Sequence, residues 1–368
     1  MDGIFITKLE AGPGIRLAVK DLFDTAGVRT TYGSAVFADH VPSATAPAVS
    51  LLEAAGYANV GKANLHEFAY GTTSQNVHYG TVPNPLYPGR TSGGSSGGSA
   101  AALTAGLAEA ALGTDTAGSI RLPAACCGVV GFKPTYGLVP ADGVWPLAPS
   151  FDHVGPMTPD VAGAAAMMEA LVPGFSVPET GLSELRVAVA WFEGADPLVR
   201  GRLETAAASF TSPERVELPL ACDILPLSMS EIAGVHRELY AEQGDLYGEN
   251  IVPKIERCLA LPTVEAAAAT SRREEYRDEM QRALEPFDLL LTPTLAFVAP
   301  PADVDEIAVR ESMIQFTFPF NALGWPALAL PCGPAEGGLP ASIQLAGRAG
   351  DDALVLSAAK ALEEALKA

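Results

Sequence analysis

Two serine-bearing glycine turns are the places where this sequence could do chemistry. The first is Gly93-Gly94-Ser95-Ser96-Gly97-Gly98 and the second is Thr116-Ala117-Gly118-Ser119, with an alanine-rich run between them. Glycine admits backbone angles closed to other residues and lets a ligand come close to the main chain. Two such turns, each bearing hydroxyls, could present a nucleophile and backbone N–H donors to one substrate. A serine hydroxyl attacks well only beside a base, and the turns supply none. A lysine stands upstream, where the short apolar run 15–19 ends in Lys20-Asp21. A lysine there is ordinarily a surface residue with its amine in solvent. The alternative is a buried amine that desolvation leaves neutral.

Other readings of the turns are weaker. Gly93-Gly94-Ser95-Ser96-Gly97 matches G-x-S-x-G, but that nucleophile elbow follows a strand, and residues 84–92 are polar and proline-bearing. An elbow also needs a downstream histidine, and neither His153 nor His236 has a distinctive context. A phosphate-binding loop lacks its closing Lys-Ser/Thr pair. A plain glycine linker leaves the second ordered turn unexplained. His66 beside Glu67 lacks the HExxH spacing for zinc and reads as a structural or surface histidine. No CxxC or Cys/His cluster points to a metal, and no cofactor is expected.

The surrounding elements alternate. Strands are expected at 15–19 and 58–61 with a helix at 46–55 between them, closed by Gly56. Residues 99–107 have the alanine content of a buried helix, 108–114 read as a buried strand, 119–126 as the start of a second helix and 128–133 as a strand. A serine in a first helical turn sits among unpaired N–H groups, a natural anion site. Downstream come a helix at 160–171, a strand at 185–191, a helix to about 210 and helices with solvated faces across 229–284. Strands at 289–291, 326–331 and 342–346 and a helix at 351–366 complete the chain. Alternation of this kind gives an α/β layered domain. With no repeat or linker to divide it, a single domain over 1–368 is expected.

Composition narrows the partners. At 48% hydrophobic and 18% charged residues the chain has globular composition. Asp plus Glu outnumber Lys plus Arg by 43 to 23, a net charge of −20, which argues against nucleic acid and anionic membranes as partners. No apolar segment reaches the roughly 18–20 residues of a membrane span. The N-terminus lacks a basic segment followed by an apolar run, so no export signal is expected. The five cysteines then fit reduced thiols in a cytoplasmic protein.

Together these segments resemble the amidase signature family. The resemblance is carried by GGSSGGSAAALTAGLAEAALGTDTAGSIRLPAACCGVVGFKPTYG at 93–137, AVKDLFDTAG at 18–27, GKANLHEFAYGTTSQN at 61–76, SFDHVGPMT at 150–158, DLLLTPT at 288–294 and the C-terminal NALGWPALALPCG and GLPASIQLAG. It implies a mixed central β-sheet covered by helices on both faces, with a signature core at about 61–158. It also implies that Lys20 is the catalytic base, that Ser95 bridges after a cis peptide bond, and that Ser119 is the nucleophile. The N–H groups of Thr116, Ala117, Gly118 and Ser119 would hold the oxyanion, although family members often carry glycine where this chain has Ala117. By the same resemblance Ser96, Asp115 and Arg121 would hold the turns through hydrogen bonds, Asp115 and Arg121 being open also to an ordinary buried ion pair. Ala69, Tyr70 and Gly71, with Ser95, would line the substrate side, Tyr70 being equally suited to the core.

The activity so implied is hydrolysis of a small-molecule carboxamide through a seryl acyl-enzyme, releasing ammonia or an amine. The alternative is a glutamine-hydrolysing protein resembling the A chain of the tRNA-dependent amidotransferase, whose chains are usually longer than this one. An esterase of the α/β-hydrolase type would demand an essential histidine, and a non-catalytic amide-binding relative would not need all three catalytic residues. Family members are often dimers, so a homodimer is possible.

Overall fold

A computed structural model describes residues 2–10 and 12–367. The chain enters through β1 (Phe5–Lys8), β2 (Ile15–Lys20), helix α1 (Pro47–Ala54) and β3 (Tyr57–Ala63). It then forms α2 (Gly97–Thr104), β4 (Ala110–Asp115), α3 (Arg121–Cys127), β5 (Val130–Lys133), β6 (His153–Thr158) and α4 (Val161–Leu171). After β7 (Val187–Val189), α5 (Pro197–Ala207) and β8 (Glu214–Arg215) comes a helical stretch of α6 (Leu225–Gln243), α7 (Val252–Leu259) and α8 (Thr263–Leu284). The chain closes with β9 (Leu289–Pro293), α9 (Glu306–Ile314), α10 (Phe318–Leu323), β10 (Ala327–Pro334), β11 (Pro340–Ala346) and α11 (Asp352–Lys367).

The strands form one sheet of eleven, in the order β1-β3-β2-β4-β6-β5-β10-β11-β9-β7-β8. It is mixed: β2 runs parallel to β3 and β4, while β6 is antiparallel to β4 and β5. Both faces are covered, and the residues choose which helices cover them. Leu17, Val19 and Leu112 join the larger apolar cluster with α1 and α4. Ala18 and Ala111, pointing the other way, join a smaller cluster with Ala100, Ala101 and Ala102 of α2. This is the period-2 alternation of a strand, with methyl groups on one face. Small side chains there let α2 approach β2 and β4 closely, which brings its N-terminal turn to the end of Lys20's strand.

Several element boundaries differ from the sequence expectation. Ser119 lies ahead of its helix, which starts at Arg121, because the Asp115 carboxylate captures N–H groups in that turn. The strand expected at 185–191 is only Val187–Val189. Strands β1 and β6 and helices α9 and α10 had no clear periodic signal; β6, HVGPMT, is buried at every position, so it shows no alternation to read. No described helix is long and apolar enough to cross a membrane.

Gly98 tests the close approach of α2. A Cβ there would lie 2.2 Å from the Asn64 carbonyl oxygen and 2.6 Å from its nitrogen, both backbone atoms. Alanine gains up to about 1 kcal/mol of helix propensity over glycine, but displacing backbone in a packed interior costs about 1–3 kcal/mol or more. Gly98→Ala is therefore expected to lower the thermal midpoint. An unchanged or raised midpoint would show that α2 has room to move.

Candidate active site

Lys20 closes β2 with no exposed surface, so the surface reading of this lysine is overturned. Its Nζ donates to Ser95 Oγ at 2.8 Å and to Thr114 Oγ1 at 2.7 Å. Both partners are hydroxyls. A charged ammonium in this setting lacks the contacting carboxylate that would offset its desolvation. Burial accordingly lowers the Lys20 pKa from 10.5 to about 7, against the opposing pull of the Asp115 and Asp152 carboxylates farther off.

Ser95 stands in the turn before α2, and the Gly94–Ser95 peptide bond is cis. Its carbonyl accepts from the His66 N–H and the Ser74 hydroxyl, each at 3.2 Å. Ser96 joins the two glycine turns: its N–H donates to the Ser119 carbonyl and its hydroxyl to the Thr114 carbonyl, both at 3.2 Å. His66 is buried and structural, its Nε2 facing Lys254 Nζ at 3.3 Å.

The turn of residues 116–119 is built around Asp115. Its carboxylate accepts from the N–H groups of Gly118 at 2.8 Å and Ile120 at 3.2 Å, from Arg121 Nε at 2.9 Å and Nη2 at 2.8 Å, and from Asn321 Nδ2 at 2.9 Å. Burial by itself raises the pKa of such a carboxyl. Here the Arg121 guanidinium, with Lys133 and Asn321, outweighs burial and holds Asp115 well below the usual carboxylate range. Arg121 also donates to the Thr317 carbonyl at 2.9 Å and Gln344 Oε1 at 2.7 Å, which ties the turn to the start of α10 and to β11. Thr116 Oγ1 donates to Asp152 Oδ1 at 2.6 Å. Burial raises the Asp152 pKa to about 6, against the hydroxyl of Thr116 and the N–H groups of Leu147 and Ala148.

This arrangement corrects one expected donor. The Gly118 N–H is taken by Asp115, so it is not free for an oxyanion. Among the described residues no acceptor meets the N–H of Thr116, Ala117 or Ser119. Gly118 adopts φ +136, an angle that L side chains rarely reach, whereas Ala117 keeps a negative φ and tolerates its Cβ.

Ser119 is 7% exposed and faces a cavity of about 30 Å³ lined also by Ala69, Gly71, Thr116 and Ala117. Phe68 and Ala69 have φ +50 and +60, a left-handed kink that swings this segment across the pocket. Tyr70 does not line that small cavity. It lines an adjoining one of about 430 Å³, with its hydroxyl 3.1 Å from Cys258 Sγ. Lys20 and Ser95 are thus joined directly, and Ser119 is tied to them through the main chain of Ser96. The Ser119 hydroxyl makes no hydrogen bond to Ser95. Sequence reasoning missed Thr114, Asp152, Asn321 and Gln344. The first two were visible as polar residues inside otherwise buried runs, but nothing local linked the last two to the site.

A family model described as Amidase matches residues 11–177 and 221–356. The chain is 35% identical to AtzE, a 1-carboxybiuret hydrolase component of Pseudomonas sp. (strain ADP), over 95% of this chain and 84% of that protein. It is 36% identical to the A chain of glutamyl-tRNA(Gln) amidotransferase from Anaeromyxobacter dehalogenans (strain 2CP-C), over 96% of this chain and 82% of that protein. A crystal structure of an amidase superposes with a TM-score of 0.88 at 36% identity, covering 95% of this chain and 84% of the other.

Removing Arg121 should expose how far the turn depends on the ion pair. Arg121→Met leaves Asp115 buried without its main counter-charge, and a broken buried pair costs about 3–5 kcal/mol. A fall of that size in the free energy of unfolding by denaturant is expected. A loss below about 1 kcal/mol would mean that Asn321 and the backbone donors suffice.

Proposed function

The chain belongs to the amidase family, and from that premise we propose that it hydrolyses a small-molecule carboxamide to a carboxylate and ammonia or an amine, through an acyl-enzyme on Ser119. The observation that carries the mechanism is the buried amine of Lys20, 2.8 Å from Ser95 Oγ with its pKa lowered to about 7. Neutral Lys20 accepts the Ser95 hydroxyl proton as Ser95 takes that of Ser119, and the Ser119 oxygen adds to the amide carbonyl. The oxyanion is held by the unengaged N–H groups of Thr116, Ala117 and Ser119. Collapse of the intermediate breaks the C–N bond, and the relay returns the proton to the departing nitrogen. Water then adds to the ester carbonyl with the same relay as base, freeing Ser119 and the acid. The Ser95–Ser119 hydrogen bond would form with substrate in place, since catalytic hydrogen bonds tighten in the complex.

Asp115 and Arg121 act by holding the donor turn in shape. Asp152, through the Thr116 hydroxyl, fixes the first residue of that turn. Ala69 and Gly71 face the Ser119 pocket and flank the bound amide.

A second reading, glutamine hydrolysis within an amidotransferase complex, is favoured by the 36% identity to the A chain of such an enzyme. Glutaminase activity that appears only with a partner chain would select it. Turnover of simple amides by the isolated protein selects the hydrolase.

Two measurements check the mechanism. Ser119→Ala should lower kcat by about 10⁴-fold or more with the fold retained, as removal of a nucleophile does elsewhere. For the pH dependence, the active base is the neutral amine, so activity is present above the Lys20 pKa and lost below it. The kcat/KM profile should therefore fall about tenfold per unit as pH drops beneath about 7. A rate that stays flat from pH 8 to 5 would exclude Lys20 as the base.

A further inference from the structure

The Ser119 pocket and the 430 Å³ cavity share a seam formed by Leu225, Ser228, Ile232, Arg310, Ile314 and Phe318. Five of these are neutral, and Arg310 is the charged one. Its Nη1 donates to Glu306 Oε1 at 3.2 Å, and its guanidinium lies 4.6 Å from the centre of the Tyr70 ring. Both contacts hold the group in place without satisfying it. Among the described residues no acceptor meets Arg310 Nε or Nη2.

Charge is unbalanced at this seam. Glu306 also accepts from Lys254 Nζ at 2.8 Å and from the Thr72 N–H and hydroxyl at 3.0 and 3.2 Å. Two cations therefore share one carboxylate. Lys254 is engaged further by the Tyr70 carbonyl at 2.6 Å, which leaves Arg310 as the one with open donors. Arg257 and Glu311, both at the exposed end of the larger cavity, offset one another in sign. A surplus positive charge beside the nucleophile stands out in a chain of net charge −20. The Arg310 side chain keeps 21% of its surface exposed, and its open guanidinium N–H groups are placed to meet an anion that enters the cavity. Most of the remaining wall, with Met229, Ile307 and Pro226 beside the seam residues, is apolar, Gln315 and Cys222 being the polar exceptions.

We infer that the substrate is an anionic amide, with a carboxylate near the scissile bond paired to Arg310 and an apolar substituent filling the larger cavity. This rests on the amidase reading above and names its substrate class. Arg310 then decides specificity by binding and takes no part in proton transfer.

The test measures ammonia release by the full chain from 2-benzylsuccinamate and from its neutral methyl ester, in the wild type and in Arg310→Gln and Arg310→Lys. A charge-assisted pair of this kind should favour the carboxylate on the order of 10- to 100-fold in kcat/KM, chiefly through KM. Arg310→Gln should erase that preference and Arg310→Lys restore part of it. Equal kcat/KM for the two compounds in the wild type, or a preference that survives Arg310→Gln, overturns the inference. Should the variants not fold, inhibition of the wild type by benzylsuccinate reads the same contact. A Ki at least about tenfold below that of its dimethyl ester supports the pairing, and equal Ki values overturn it. Loss of the anion preference with Ser119-dependent turnover intact removes this inference alone. Turnover that survives Ser119→Ala removes the reaction on which it rests.

Discussion

Burying a lysine amine without a contacting carboxylate is the constraint on which this site depends. Desolvation penalises the charged form of Lys20, and the two groups within hydrogen-bond reach, Ser95 Oγ and Thr114 Oγ1, are neutral. The nearby negative charge is kept at a distance and is already committed. Asp115 is neutralised by Arg121, and Asp152 is bonded to Thr116. Had either carboxylate touched Lys20, the amine would remain protonated and could not accept a proton at neutral pH. The separation of these groups is therefore as much a part of the proposed mechanism as their presence.

The fold supplies that separation through small residues. Ala18 and Ala111 on one face of the sheet, against Ala100 and Ala101 of α2, let a helix come close enough to place Ser95 over the end of β2. The opposite face carries Leu17, Val19 and Leu112, whose bulk anchors the sheet. Asp115 at the end of β4 then organises the second turn, and Arg121 extends its reach to the start of α10 and to β11. A single buried ion pair thus couples the donor turn to strands and helices far away in sequence.

The alternation of strands and helices around the site was legible because those segments are strongly apolar and punctuated by glycine and proline. Lys20, Ser95 and Ser119 were singled out through a family resemblance, and the structure joins the first two directly. Local pattern alone left Lys20 ambiguous, since a lysine ending a strand reads as solvated until its neighbours in space are known. The commitment of the Gly118 N–H could not be read, because it depends on the side-chain direction of Asp115. Nothing in the sequence singled out Glu306 and Arg310, which stand four residues apart on α9. Only packing of α9 against Tyr70 and Lys254 brings Arg310 into the wall of both cavities, held there by Glu306. Contacts such as Arg121 with Gln344, 223 residues apart, have no local signature at all.

The central claim is that the Lys20 amine is neutral when the enzyme works. The direct measurement is a ¹³C NMR titration of protein labelled at lysine Cε, with the Lys20 signal assigned by its loss in Lys20→Met. This signal should titrate near pH 7. Titration near the ordinary value of about 10.4 would contradict it.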